Sequence, residues 1–179
     1  MTPPTPYTFH SAVTPSADQR GPAHWFVFQE SNLLVRHNGA GTEVLRAAGP
    51  EELALPLVRS QYLGHLALDG QPPASCFSAE ADPTAPLPDG VSAEGLRGLY
   101  SRLPEPIFHV AGRAVQIVDW DRTHQFCGRC GGPMESLPSE RAKKCPACGL
   151  TNFPRLSPAI SSAVVRHAAE GPQLLLAGN

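Results

Sequence analysis

The chain has no run of eighteen apolar residues, so no segment reads as a transmembrane helix. A basic-then-apolar leader is missing as well. The opening stretch MTPPTPYTFHSAVTPSADQRGP is too rich in Pro, Thr and Ser to act as a secretory signal. Charge of one sign is not in excess: 14 Lys and Arg against 16 Asp and Glu give a formal net charge of −2. That balance excludes the broad basic field of a protein that binds nucleic acid by charge alone. There is no G-x-x-x-x-G-K-[ST], no G-x-S-x-G, and no G-x-G-x-x-G after a strand. Cysteine is scarce at five residues, but four of them stand in two tight pairs. Without an export signal the chain is expected in the cytoplasm, where thiols stay reduced. The pairs then point to a metal site and not to a disulfide framework.

What is abundant is punctuation. Sixteen Gly and 20 Pro in 179 residues favour short elements and many turns over a long-helix bundle. Residues 1–22 hold few large apolar side chains and are expected to form a flexible lead. From His24 the pattern changes. HWFVFQE and NLLVRHN read as two strands joined near Ser31-Asn32, and TEVLRA, YLGHLALDG and SCFSAE as further strands. GPEELALPLV reads as a short helical insert, and QPP and DPTAPLPDG as loops. Two helices are expected next. In VSAEGLRGLYSRLP, Ser92 is a candidate N-cap and Leu96, Leu99, Tyr100 and Leu103 share a face, with Pro104 closing the element. In PEPIFHVAGRAVQIVDWDRTHQF, Ile107, Val110, Ala111, Ala114 and Val118 form an apolar stripe that favours a helix, although Val115 and Ile117 keep a strand open.

That helix leads into CGRC and, after fourteen residues, CPAC: Cys127, Cys130, Cys145 and Cys148. Four thiolates suit a tetrahedral soft-ligand ion, and a two-residue spacer lets both sulfurs of a pair reach it. Gly128, Gly131 and Gly132 fit knuckles that turn sharply. With sulfur in all four positions no site is left for water, so a structural Zn²⁺ is expected and not a catalytic one. Iron in a rubredoxin-like site is the redox alternative, since sulfur ligands do not separate the two metals. A ribbon that reads nucleic acid is another, resting on Arg129, Arg141, Lys143 and Lys144, with Glu135 and Glu140 opposing them. A scaffold or dimerisation module is a further alternative.

Other chemistry-bearing residues read more simply. Cys76 sits in a strand and suits a small buried apolar residue better than a nucleophile. His10, His24, His37, His65 and His109 show no ligand spacing, and His124 adjoins a shell that four cysteines already complete. Trp25 and Trp120 suit core or interface anchors. After the ribbon, TNFPRLSPAISSAVVRHAAEGPQLLLAGN carries two β runs separated by Ala169-Glu170-Gly171, a hairpin-like break.

The stretches AGRAVQIVDWDRTHQFCGRCGGPM and CPACGLTNFPRLSPAI together resemble the NADH pyrophosphatase branch of the Nudix hydrolases. The close likeness covers about residues 107–179, and residues 24–106 fit loosely as the divergent N-terminal domain of that family. The resemblance implies an α+β chain in four parts: a lead at 1–22, a β-rich N-terminal domain with two helices at 23–121, a four-cysteine zinc ribbon at 122–153, and at 154–179 the opening β-hairpin of a Nudix α/β/α fold. It implies cleavage of the pyrophosphate of NAD(H) to nicotinamide mononucleotide and AMP, and removal of NAD caps from RNA by some members. It also implies a homodimer, and Mg²⁺ or Mn²⁺ held by the glutamates of a Nudix box. Phe153, before Pro154, matches the aromatic that stacks on a base of the dinucleotide from the neighbouring subunit; a hydrophobic plug between ribbon and Nudix core is the other reading. The chain departs from the family in having no R-E-x-x-E-E, and Glu170 is its only glutamate after Glu140. No catalytic residue is therefore assigned, and the chain is expected to be a fragment that is inactive alone.

Overall fold

The computed structural model describes residues 7–15, 21–39, 41–155 and 162–176. Seven strands form one sheet: β1 (Tyr7–Ser11), β2 (Ala23–Gln29), β3 (Asn32–Asn38), β4 (Gly41–Ala47), β5 (Leu57–Leu68), β6 (Ala74–Ala81) and β7 (Val91–Glu94). Their order across the sheet is β1-β5-β6-β2-β4-β3-β7, with β2 also touching β3. The β2–β6 pair is parallel and the other pairings in this sheet are antiparallel.

The centre of the sheet follows from the sequence of β2. In AHWFVFQ both faces are apolar, as expected for a strand covered on each side. Phe26 and Phe28 enter one cluster, while Trp25 and Val27 enter the other. On the second face Trp25 stacks on Phe77 with ring centroids 4.5 Å apart, and its Nε1 donates to the Ala47 carbonyl at 3.2 Å. Cys76 is fully buried, and burial pushes its thiol up to about 12, as suits packing and not nucleophilic attack.

α2 (Glu105–Thr123) covers the first face. Its stripe of Ile107, Val110, Ala111, Ala114 and Val118 is buried against Phe26, Phe28, Leu63 and Leu66. Burying each of the larger members contributes about 1.5–3 kcal/mol. The β-branched Val115 and Ile117 do not break this helix, because the stripe packs only at helical spacing.

Three expectations are corrected. Residues 7–11 are not a loose lead: they form β1, matched to β5 from Tyr7↔Leu68 to Ser11↔Gly64. The approach is close enough to require glycine at Gly64. Its φ is +132°, and a Cβ there would fall 1.9 Å from the His10 carbonyl oxygen. Ser92 is not an N-cap, because Val91–Glu94 pairs with β3, and α1 is the short turn Leu96–Leu99 capped by Gly95. The insert after Gly49 is a single 3₁₀ turn, Pro50–Leu53.

The C-terminal part holds a three-stranded ribbon of β8 (Glu135–Ser136), β9 (Lys143–Lys144) and β10 (Thr151–Asn152). A hairpin of β11 (Val165–Ala168) and β12 (Gly171–Leu174) follows, turning where Ala169-Glu170-Gly171 is expected to. Residues 156–161 and 177–179, part of the two expected β runs, lie outside the described residues. Among the described residues no helix is long and apolar enough to cross a membrane.

Candidate metal centre and its seat on the sheet

The two cysteine pairs sit in two copies of one turn. In the first, the Cys127 N–H donates to the Gly132 carbonyl at 2.7 Å and the Gly131 N–H to the Cys127 carbonyl at 2.8 Å. In the second, Cys145 N–H meets the Leu150 carbonyl at 2.8 Å and Gly149 N–H meets the Cys145 carbonyl at 2.9 Å. Gly131 and Gly149, each four residues after the leading cysteine, have φ of +74° and +75°, the left-handed region that favours glycine. Gly128 has no such need: its φ is not positive, and a Cβ there meets open space.

These turns bring the Sγ atoms of Cys127, Cys130, Cys145 and Cys148 within 4.8 Å of one another. Cys127 and Cys148 lie 3.5 Å apart, and Cys130 and Cys145 3.4 Å. A tetrahedral ion with metal–sulfur bonds of ~2.3 Å sets its sulfurs about 3.8 Å apart, so the donor set fits such an ion. The electrostatics agree. N–H groups of Cys130 and Arg129 hold the Cys127 thiol down to about 6, with the sulfurs of Cys148 and Cys130 adding to the effect. Cys130 is pushed the other way, to about 12: the Gly132 N–H lowers it, but sharing protons with Cys145, Cys148 and Cys127 outweighs that. Thiols this close resist ionising together unless a cation neutralises them. His124 stays out of the cluster, its Nδ1 lying 2.8 Å from the Trp120 carbonyl oxygen.

The ribbon is bolted to the end of α2. The side chain of Lys143 is 3% exposed, and its Nζ lies 2.5 Å from Asp121 Oδ1 and 2.9 Å from the Asp121 carbonyl oxygen. Gln61 of β5 donates to the other Asp121 oxygen at 2.6 Å, so sheet, helix and ribbon meet on one carboxylate. Trp120 Nε1 donates to Asn152 Oδ1 at 2.9 Å, and Lys143 Nζ stands 5.7 Å from the centre of its ring. Arg141 donates to the Ala12 and Tyr62 carbonyls at 2.8 and 2.5 Å. A cleft of about 590 Å³ runs between β5 and the ribbon, past Gln61, Arg141 and Lys143.

This seat changes the meaning of the basic residues. Lys143 and Arg141 serve internal contacts, and Lys144 lies opposite Glu135 in the β8–β9 pair. Asp121 is easily missed in the sequence, yet it continues the apolar stripe three residues after Val118. An acid on a buried stripe needs a buried partner.

Trp120 is thus an interface anchor and Trp25 a core one. Phe153 follows directly after Asn152 and is 53% exposed. Beyond it, Arg155 lines a second cavity of about 470 Å³ with Asp119, Trp120 and His124 at the end of α2.

Two family profiles match the chain. The NADH pyrophosphatase-like rudimentary NUDIX domain covers residues 22–120, and the NADH pyrophosphatase zinc ribbon domain covers residues 122–153. Among curated proteins, an NAD-capped RNA hydrolase NudC of Deinococcus radiodurans is 35% identical over 154 residues, 86% of this chain and 50% of the relative. The protein of the same description from Stutzerimonas stutzeri is 42% identical over 127 residues, 71% of this chain and 42% of its own. One from Pseudomonas fluorescens is 37% identical over 158 residues, 88% of this chain and 50% of the relative. The chain spans about half the length of the curated relatives it matches.

Proposed function

As the chain belongs to the NADH pyrophosphatase branch of the Nudix family, we propose that it is the N-terminal and ribbon portion of a hydrolase. That enzyme cleaves the pyrophosphate of NAD(H) to nicotinamide mononucleotide and AMP and acts on NAD-capped RNA. The relatives' printed name, NAD-capped RNA hydrolase, supports the substrate class. In this reading Cys127, Cys130, Cys145 and Cys148 hold one structural Zn²⁺, which closes the ribbon but takes no part in hydrolysis, because no ligand position is left for water.

The observation that carries the proposal is the joint placement of ribbon and sheet. Asp121, Lys143 and Trp120 tie the ribbon to the NUDIX-like domain, and Asn152, held by Trp120, precedes an exposed Phe153. An aromatic ring on so short a tether suits stacking on a dinucleotide base in a homodimer of the whole enzyme. Divalent Mg²⁺ or Mn²⁺ would supply charge neutralisation at the phosphates, and the carboxylates to hold it are those of a Nudix box. This chain has no R-E-x-x-E-E, so residues 1–179 alone do not release AMP. The whole enzyme works in the cytoplasm, where the thiols stay available to metal.

The test is to read about sixty further codons of the gene and assay the extended polypeptide on NADH with Mg²⁺ or Mn²⁺. Release of nicotinamide mononucleotide and AMP by the extended protein supports the proposal. Absence of a Nudix box from those codons, or an extended protein that leaves NADH intact, overturns it.

A further inference from the structure

The four sulfur-bearing residues of the ribbon are not equally placed. Cys130 is exposed and Cys148 partly buried, whereas Cys127 is buried and Cys145 fully so. Each outer sulfur has an inner one beside it from the opposite turn: Cys130 and Cys145 lie 3.4 Å apart, Cys148 and Cys127 3.5 Å. The fifth cysteine, Cys76, is fully buried in β6 and lies outside the cluster.

Zinc, when bound, holds all four sulfurs as thiolates, the nucleophilic form. An accessible thiolate with a second one in reach is oxidised to a disulfide, the reversible rung, before it reaches the higher acids.

We propose that the ribbon is a site of reversible oxidation by a hydroperoxide, at which Cys130 reacts first and two disulfides close across the turns, Cys130–Cys145 and then Cys127–Cys148. The Cys130 thiolate attacks one oxygen of hydrogen peroxide; an S–O bond forms, the O–O bond breaks and hydroxide leaves. The sulfur has given up two electrons and the peroxide has taken them. The Cys145 thiolate then attacks the Cys130 sulfur; the S–S bond forms, the S–O bond breaks and a second hydroxide leaves. A second peroxide reacts in the same way at Cys148, with Cys127 as the resolving thiolate. Four thiolates and two peroxides thus give two disulfides and four hydroxides, and no thiolate is left to hold the ion.

These bonds join residues 21 and 15 positions apart and tie the two turns together as the ion does. Bonds within each C-x-x-C would close a loop of only a few residues and leave the turns free to part. With the cross-turn pairing, β9 keeps its places beside β8 and β10, and Lys143 stays on Asp121 after the metal has gone.

The test maps the disulfides of the zinc-loaded 179-residue chain, without reduction, after two equivalents of hydrogen peroxide. Trypsin cuts after Arg122, Arg129, Arg141, Lys144 and Arg155, so Cys127 and Cys130 fall on separate peptides and Cys145 shares a third with Cys148. The expected product joins all three peptides, and fragmentation between Cys145 and Cys148 finds Cys130 on the former and Cys127 on the latter. One equivalent is expected to give Cys130–Cys145 alone. A chelating dye should record the release of one zinc per chain, the Trp120 Nε1–H resonance should persist, and dithiothreitol with Zn²⁺ should restore the starting state. Bonds Cys127–Cys130 and Cys145–Cys148 would overturn the proposal. So would Cys127–Cys148 forming first, zinc that stays bound, sulfonic acids in place of disulfides, or loss of the Trp120 resonance.

Discussion

Lys143 Nζ and Asp121 Oδ1 form an ion pair 2.5 Å apart, with their side chains only 3% and 10% exposed, where sheet, helix and ribbon converge. Gln61 and Gln125 complete the carboxylate's hydrogen bonding. Removing one partner strands a buried charge. Asp121→Asn and Lys143→Met are each expected to cost about 3–5 kcal/mol, read as a fall in the urea midpoint. The double variant Asp121→Leu/Lys143→Met is expected to lose less than the sum of the two single losses, because no charge is then left unpaired.

The sulfur cluster makes a second prediction. Elemental analysis of purified protein is expected to give one zinc per chain. Cys145 is fully buried, so Cys145→Ala removes a ligand and opens a void together. It should abolish zinc retention, and with it a local stabilisation on the order of 10 kcal/mol. Iron in place of zinc, or a zinc content near zero in the unaltered chain, would contradict the structural assignment.

For Phe153, 53% exposed in this chain, stacking on a dinucleotide base and plugging the ribbon against a Nudix core predict different outcomes. In the extended enzyme Phe153→Ala is expected to raise the KM for NADH about tenfold while moving Tm little, as for the loss of one stacking contact of about 1–1.5 kcal/mol. A Tm that drops several degrees with unchanged KM would assign the residue to packing.

His24 ties stability to pH. It is held at about 4 in the folded chain against 6.5 when unfolded, chiefly by burial and then by Arg46. The unfolded chain therefore takes up a proton between pH 6.5 and 4 that the folded chain refuses. The stability is complete above pH 6.5, falls as the pH drops through this window, and levels off below 4. The share owed to His24 is about 3 kcal/mol. Urea unfolding at pH 7, 5 and 4 should show a shallower decline in His24→Phe than in the unaltered chain. An equal decline in both would remove His24 from the account.

Much of this architecture could be read from periodicity. The stripe from Ile107 to Val118 marks α2, the double-faced apolar run of HWFVF marks a central strand, and paired C-x-x-C marks the ribbon. What escaped were contacts that depend on partners distant in sequence. β1 is five residues long and set in a stretch rich in Pro, Thr and Ser that hides it, and Gly64 and the β5 edge hold it. Val91–Glu94 has a helical look because Ser92 suits an N-cap, but pairing with β3 outweighs local preference. Lys143 looked like one of four surface cations until the fold placed Asp121 beside it. Local pattern locates elements and metal ligands, while the seat of the ribbon exists only in three dimensions.

The central claim is that this chain supplies a zinc-closed ribbon on a NUDIX-like sheet and that the pyrophosphatase carboxylates lie outside it. The most direct test is to incubate the purified 179-residue chain, carrying one zinc, with NADH and Mg²⁺ or Mn²⁺ and to follow AMP by chromatography. The account predicts AMP no higher than in a protein-free control. Metal-dependent release of AMP by this chain would contradict it.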